Sequence, residues 1–228
     1  DLQFGPDGAL YIVDWFNPLV GHMQHNLRDP NRDHTHGRIW RITYLGRPLL
    51  KNQDLTKLSI PELLEQLKSP EDRVRHRTRI QLREFPAADV AAAVRTWAKG
   101  LDTKDDDYDH HLLEALWVCQ HHNTAASSDA TTREFSRNLL QDRLLCKDGR
   151  VRAAAVRVLS HWRDLFPEED VIEWLHAGAN DDHPRVRLET VRAASWVNTS
   201  AAAEVALQAV NHERDYYINY ALGEVIRG

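Results

Sequence analysis

Three Arg-Val-Arg triplets recur in the second part of the chain, and they constrain its fold more than any other feature. They stand in "DRVRHRTRIQL" from residue 72, "DGRVRAAAVRVL" from 148 and "HPRVRLETVRAA" from 183, each after an apolar helical pattern and a polar turn. Two weaker copies, "DYDHHLLEALWV" and "DYYINYALGEVI", fit the frame with Tyr108 and Tyr217 in the valine position. The anchors Val74, Tyr108, Val151, Val186 and Tyr217 are then 34, 43, 35 and 31 residues apart, spacings that suit two-helix solenoid repeats. Eight residues beyond each anchor stand Leu82, Leu116, Leu159, Ala194 and Val225, all apolar. That separation is close to two helical turns, so anchor and partner line one face. No such pair can keep its apolar stripe dry alone, and stacking in series is the remedy.

Local signals place the helix starts. Ser59 with Glu62 spells a capping box, Ser69 with Asp72 spells a second with Pro70 in its first turn, and Pro167 precedes three acids. The insertion "HHNTAASSDATT" ahead of Cys146 is expected to loosen the stack. The acidic run at 102–109 lacks the glycine and glutamate of a calcium loop and reads as a solvated turn capping the next helix. The paired histidines at 110–111 and 121–122 are expected at opposite ends of one helix. Cys119 and Cys146, 27 residues apart, form no metal knuckle or haem-attachment motif and read as two buried thiols.

Before residue 46 the composition is different. "LQF", "ALYIVDW" and "RIWRITY" are short runs rich in β-branched and aromatic residues, and Gly5-Pro6-Asp7-Gly8 is a tight-turn sequence. Three strands with this little apolar surface need neighbours. The sequence opens inside a strand pattern and stops at "GEVIRG" with a helical pattern still running, as a piece of a longer protein would. The expected fold class is mainly α: an α-α superhelix of about five helix pairs, preceded by a small antiparallel β segment. The expected divisions are 1–45 for the β segment, 46–58 for a linker and 59–228 for the repeats.

The repeats resemble HEAT repeats, whose second helix opens with an aspartate, then a valine and an arginine. Asp148, Val151 and Arg152 show this best, followed by Asp182, Val186 and Arg187, with Val74 and Arg75 in the first copy; the copy at 108 departs from it with Asp109 in the arginine position. In such stacks the arginine after the anchor pairs with aspartates between repeats and fixes register. The front segment, through "FGPDGALYIVDW", "GHMQH", "RDPNRDHTHGRIWRI" and "GRPLL", resembles the last propeller blade of the bacterial membrane-bound-dehydrogenase-like proteins, also called PVC-type haem-binding proteins. That resemblance implies a parent with a sugar- or sorbosone-dehydrogenase-like β-propeller and then a HEAT array. It also implies pyrroloquinoline quinone and c-type haem as the parent's cofactors and a periplasmic or cell-envelope location. This fragment itself is expected to hold no cofactor, and its partners would be the missing propeller blades and a protein or cytochrome module.

The chemistry-bearing residues crowd into "HNLRDPNRDHTHGRIW", residues 25–40. His22, His25, Asp29, Asp33, His34 and His36 are candidate metal or cofactor contacts, and Arg28, Arg32 and Arg38 are candidate clamps for a carboxylate or phosphate. Neither the i to i+3 pair His22 and His25 nor the i to i+2 pair His34 and His36 is diagnostic of tetrahedral zinc. A structural loop of mutually paired aspartates and arginines, a metal contact and a direct substrate role therefore stand side by side. No catalytic residue is assigned.

A net charge of −5 argues against a surface built to neutralise phosphates, so no nucleic-acid partner is expected, and no run reaches the roughly 20 apolar residues of a membrane span. The leading functional expectation is a non-catalytic HEAT scaffold from an exported propeller-type dehydrogenase-like protein, docking a protein or electron-transfer partner. The alternatives are a stand-alone α-solenoid interaction module, and a HEAT-like nucleic-acid binder using a basic groove of arginines.

Overall fold

The computed structural model describes residues 1–14, 33, 35–51 and 53–227. It falls into two compact units, Asp1–Lys57 and Leu58–Gly228.

In the first unit, β1 (Leu2–Phe4), β2 (Leu10–Asp14) and β3 (Arg38–Ile42) form one antiparallel sheet in that order. The predicted turn joins β1 to β2: Gly8 N–H donates to the Gly5 carbonyl, and Gly8 takes a φ of +77° that a side chain would resist. The register sets Leu2 opposite Ile12 and Phe4 opposite Leu10, with Trp40 and Ile42 beyond. Because side chains alternate along a strand, these six share one face. Four of them, Leu2, Phe4, Trp40 and Ile42, are exposed. On the other face Asp7 accepts from the Ala9 amide, the Tyr11 hydroxyl and the Arg41 guanidinium, which together lower its pKa.

The second unit is a run of ten helices among the described residues, arranged as five consecutive pairs: α1 (Ile60–Gln66) with α2 (Asp72–Leu82), α3 (Ala87–Lys99) with α4 (Tyr108–His121), α5 (Ala130–Leu144) with α6 (Gly149–Trp162), α7 (Glu168–Ala179) with α8 (Pro184–Ala194), and α9 (Ser200–Gln208) with α10 (Tyr216–Arg227). Second helices stack on second helices, α4 on α6, α6 on α8 and α8 on α10, while first helices meet at α1 and α3 and at α7 and α9. The core follows the predicted stripe. Leu82, Leu116, Leu159 and Ala194 are buried, as are Val151 and Val186. Each fully buried leucine contributes roughly 1.5–3 kcal/mol relative to exposure.

Several local expectations are corrected. The Ser59–Glu62 capping box forms, but α2 begins only at Asp72 with Glu71 as its cap, and Ser69 Oγ merely accepts from the Glu71 amide. The Ser69 and Pro70 carbonyls face the Arg75 side chain instead. Tyr217 is no anchor: it is exposed, and the next residue, Ile218, is fully buried with Val191, Ala209 and Leu222. Tyr108 is the first residue of α4 and only half-buried. The insertion before Cys146 does not loosen the stack. It folds inward as a 3-10 turn, Thr124–Ala126, with Thr124 and Ala125 buried and Thr124 Oγ1 2.6 Å from Ser136 Oγ. Asn123 supplies the left-handed residue that turns the chain, and Asp129 caps α5 through the amides of Thr131 and Thr132.

The crossing of α7 and α8 is close enough to exclude a methyl group, since a Cβ on Gly178 would lie 2.3 Å from Thr190 Oγ1. Thr190 is fully buried and its hydroxyl has no hydrogen-bond partner among the described residues. Gly178→Ala is therefore expected to destabilise the protein by about 1–3 kcal/mol. Thr190→Ala in the same chain should recover most of that loss, because it removes the clashing atom and an unsatisfied hydroxyl together. Urea titration of both single variants and the double variant checks this; additive losses would contradict it.

Candidate functional site

The turns between paired helices leave backbone carbonyls without helical partners. In three pairs an arginine at the fourth position of the second helix folds back over them. Arg75 Nη1 donates to the Ser69 and Pro70 carbonyls at 2.7 and 2.9 Å, Arg152 Nη1 to Cys146 and Lys147 at 2.8 and 2.9 Å, and Arg187 Nη1 to Asp181 and Asp182 at 2.8 and 3.0 Å. Each takes the carbonyls six and five residues back. Arg133, at the fourth position of α5, does the same with Ser127 and Ser128. These carbonyls follow the negative end of the preceding helix, so charge and donor geometry favour the same placement. In α4 the fourth residue is His111, not arginine. It is buried, with Nε2 3.6 Å from the Asp105 carboxylate six residues back, and burial lowers its pKa.

The guanidinium's other nitrogens reach the next pair. Arg152 meets Asp181 through two bonds of 2.7 Å and Asp182 at 2.8 Å; Asp181 is the more buried carboxylate, at 11% exposure against 92%. Burial alone would raise the Asp181 pKa, and the Arg152 bonds hold it down instead. Arg187 Nη2 donates to the Glu213 carbonyl. Between the first two pairs, Arg75 and Arg79 converge on Glu114, whose side chain is 1% exposed. Burial would push its pKa up, but His110 and Arg79 outweigh burial. Arg143, itself buried, crosses from α5 to Asp109 on α4, the residue that stands where the repeat pattern expects an arginine.

The remaining sequence candidates are placed as follows. Asp148 caps α6 through the Arg150 amide and pairs with the Arg150 side chain, which draws its pKa down to about 2; it makes no bond to Arg152. Val74 is half-buried. Asp33 accepts from the Thr35 and His36 amides and from the Thr35 hydroxyl, and lies 2.7 Å from His36 Nδ1. These bonds hold its carboxyl well below the usual range. Arg38 pairs with Asp14 and lies over the Trp40 ring. His22, His25, Arg28, Asp29, Arg32 and His34 lie outside the described residues. Among the described residues no group of three or more ligating side chains converges as a metal site.

Clefts open beside the second helices. One, of about 490 Å³, is lined by His76, Arg79, Arg83, Trp117, Gln120 and His121 together with Ile80. The next, of about 700 Å³, shares Trp117 and is lined by Asp106, Asp107, Asp109, Asp148 and Glu189 and by Arg150, Arg157 and Arg185. The third, of about 810 Å³, lies among α8, α9 and α10 beside Trp196, Tyr217 and Tyr220. Both thiols are free and buried, and burial pushes Cys119 up to about 11, which leaves it inert at neutral pH.

Two sequence families match parts of the chain: HEAT repeats over residues 137–227 and a domain of unknown function (DUF7133) over residues 1–46. No curated protein matches it. Among solved structures, two crystal structures of engineered proteins from the Northeast Structural Genomics Consortium match part of the chain. One is 16% identical, covering 74% of this chain and 80% of that one, with a TM-score of 0.43; the other is 14% identical, covering 74% and 95%, with a TM-score of 0.37. At those TM-scores neither likeness carries an argument about this chain.

Buried and exposed arginines should separate in mutagenesis. Arg187→Ala strands three carbonyls and is expected to cost about 2–4 kcal/mol. Arg157→Ala, at an exposed residue with no bond among the described residues, should stay within about 0.5 kcal/mol. Chemical denaturation compares the two, and equal losses would contradict the assignment. The depressed carboxyls also set a pH dependence. Their folded pKa values lie below the unfolded ones, so the stability they contribute is present above about pH 4 and lost as pH falls toward about 2. The melting temperature should therefore drop between about pH 5 and about pH 2.5, and drop less steeply in Asp148→Asn, which starts lower.

Proposed function

We propose that the helical unit is a non-catalytic HEAT-type scaffold that docks a partner protein on the face of its second helices. The carrying observation is the division of labour among the arginines. Arg75, Arg79, Arg143, Arg152 and Arg187 are spent inside the stack, tying each pair to the next. The face outside them keeps clefts lined by aromatic and unpaired charged side chains, the composition of a binding surface. The same division disfavours the nucleic-acid alternative, because most of the arginines that would make a basic groove, Arg150 and Arg192 included, already hold carboxylates or carbonyls. The register role of Val74, Arg75, Asp148, Val151, Arg152, Asp182, Val186 and Arg187 belongs to this proposal. It is supported by the Arg152 and Arg187 bonds to the following turn, whereas Asp148 contributes as a helix cap.

The finer proposal is that this scaffold belongs to an exported propeller-type dehydrogenase and receives a cytochrome or similar electron acceptor. What supports it is the resemblance of residues 1–45 to a closing propeller blade, together with a three-stranded sheet whose apolar face is exposed. On this proposal the chain alone reduces no redox dye with aldose substrates and added pyrroloquinoline quinone, and turnover by the chain alone would contradict it.

Photo-crosslinking tests the docking proposal. A benzophenone side chain at Arg157, on α6, should give discrete protein adducts in extract from the source cells, whereas the same group at Glu134, exposed on α5, should give few. Equal labelling from both positions would contradict it.

A further inference from the structure

His76, His110, His111, His121 and His122, five of the chain's 13 histidines, gather along one seam between the first and second helix pairs. His76 stands on α2, the next three on α4, and His122 ends α4 as its cap. The seam is built unlike those that follow it. α4, α6, α8 and α10 pack successively against one another, whereas α2 stands off from α4 and leaves the cleft of about 490 Å³ lined by His76, Arg83 and His121. Bridging falls to long side chains, Arg75 and Arg79 on Glu114, while α1 and α3 remain in contact below. His111 holds the turn-closing position, where an arginine would carry a permanent charge. Its Nδ1 is buried with no hydrogen-bond partner among the described residues, as is Nε2 of His122. In a neutral ring such a nitrogen can stay a bare acceptor; in an imidazolium it is a buried N–H with nothing to donate to.

The surrounding charges do not rescue the imidazolium forms. At His111 burial is the largest effect; Asp105 and Asp107 oppose it, and His110 and, from the α1–α2 turn, Lys68 reinforce it. At His122 burial is joined by His121 and by Arg83 from the end of α2, with the Leu82 backbone opposing them; at His121 burial is joined by Arg83. All three therefore titrate below the ordinary 6.5. The closed seam binds fewer protons than an opened one, so its stability is complete above about pH 6.5 and falls as pH drops below that value. Burial would raise the Glu114 pKa, but His110 and Arg79 hold it below its ordinary 4.5, so Glu114 keeps its charge while the histidines titrate. We propose that the seam between α2 and α4 is an acid-sensitive hinge: on mild acidification His111, His121 and His122 take up protons, and α2 moves off α4 while α1 stays on α3. Arg83, in the same cleft, repels His121 once it is charged. The hinge belongs to the scaffold and holds whether or not a partner docks there.

Pulsed electron paramagnetic resonance on the full chain tests it, because both native thiols are buried and leave introduced cysteines free to take the spin labels. Labels at Glu84→Cys, just past α2, and Arg157→Cys, on α6, span the seam; labels at Thr96→Cys, on α3, and Arg157→Cys do not. Between about pH 7.5 and about pH 5.5, above the range in which carboxyls titrate, the first distance should lengthen by roughly 5 Å or more and the second should stay within about 1 Å. Adding His111→Gln and His122→Gln should hold the first distance short at both pH values. An unchanged first distance, an equal lengthening of both, or the same lengthening in the glutamine variant would each overturn the inference. Should that variant not fold, histidine NMR of the wild-type chain decides. The His111 and His122 imidazoles should titrate with midpoints below 6.5 that coincide with the distance change; midpoints at or above that value would overturn it.

Discussion

The helical unit depends on one contact: a guanidinium that leaves the first turn of a second helix and bonds the two carbonyls six and five residues back. A tight turn between antiparallel helices creates unpaired acceptors at the negative end of one helix. An arginine four residues into the next helix has the reach, the planar donor geometry and the permanent charge to satisfy them. Its remaining nitrogens are then aimed out of the pair, where Asp181 waits for Arg152 and the Glu213 carbonyl for Arg187. One side chain thus closes its own turn and fixes the neighbour's position.

This arrangement explains why the stack tolerates irregularity. The second pair has no arginine in that position, and His111 with Asp105 stands in more weakly. The junctions on either side are held by ion pairs: Arg75, the turn-closing arginine of the first pair, and Arg79 on the buried Glu114, and Arg143 on Asp109. Breaking any of these would leave a charge with little water to replace its partner. The long connection before α5 is accommodated because Thr124, Ala125 and Ser136 make it part of the core.

Much of this was legible in the sequence, and the misses share a cause. The Arg-Val-Arg triplets gave the repeat and the apolar stripe gave the core, because both are local periodic signals. Tyr108 and Tyr217 were misplaced as anchors because an aromatic in a first turn resembles a core residue in composition, yet Ile218 is the side chain that fills the hole. Glu114 could not be foreseen, since a lone glutamate inside a helix reads as solvated until a neighbouring helix, 39 residues away, brings Arg75 to it. Asp181 was passed over for Asp182 because the two are adjacent and identical in type; only the turn decides which is buried. In the strand segment the alternation gave the sheet and its turn, whereas the Asp33–His36 contact is a local capping arrangement that ligand-type spacing alone could not distinguish from a metal site.

The most direct measurement of the central claim is a double-mutant cycle on Arg152 and Asp181, with each residue replaced by alanine singly and together and stability read by urea unfolding. A guanidinium that closes its turn and ties two pairs predicts a coupling energy of about 1.5–3 kcal/mol between the two sites. A coupling near zero, with the two losses simply adding, would contradict it and leave apolar burial alone to hold the repeats in order.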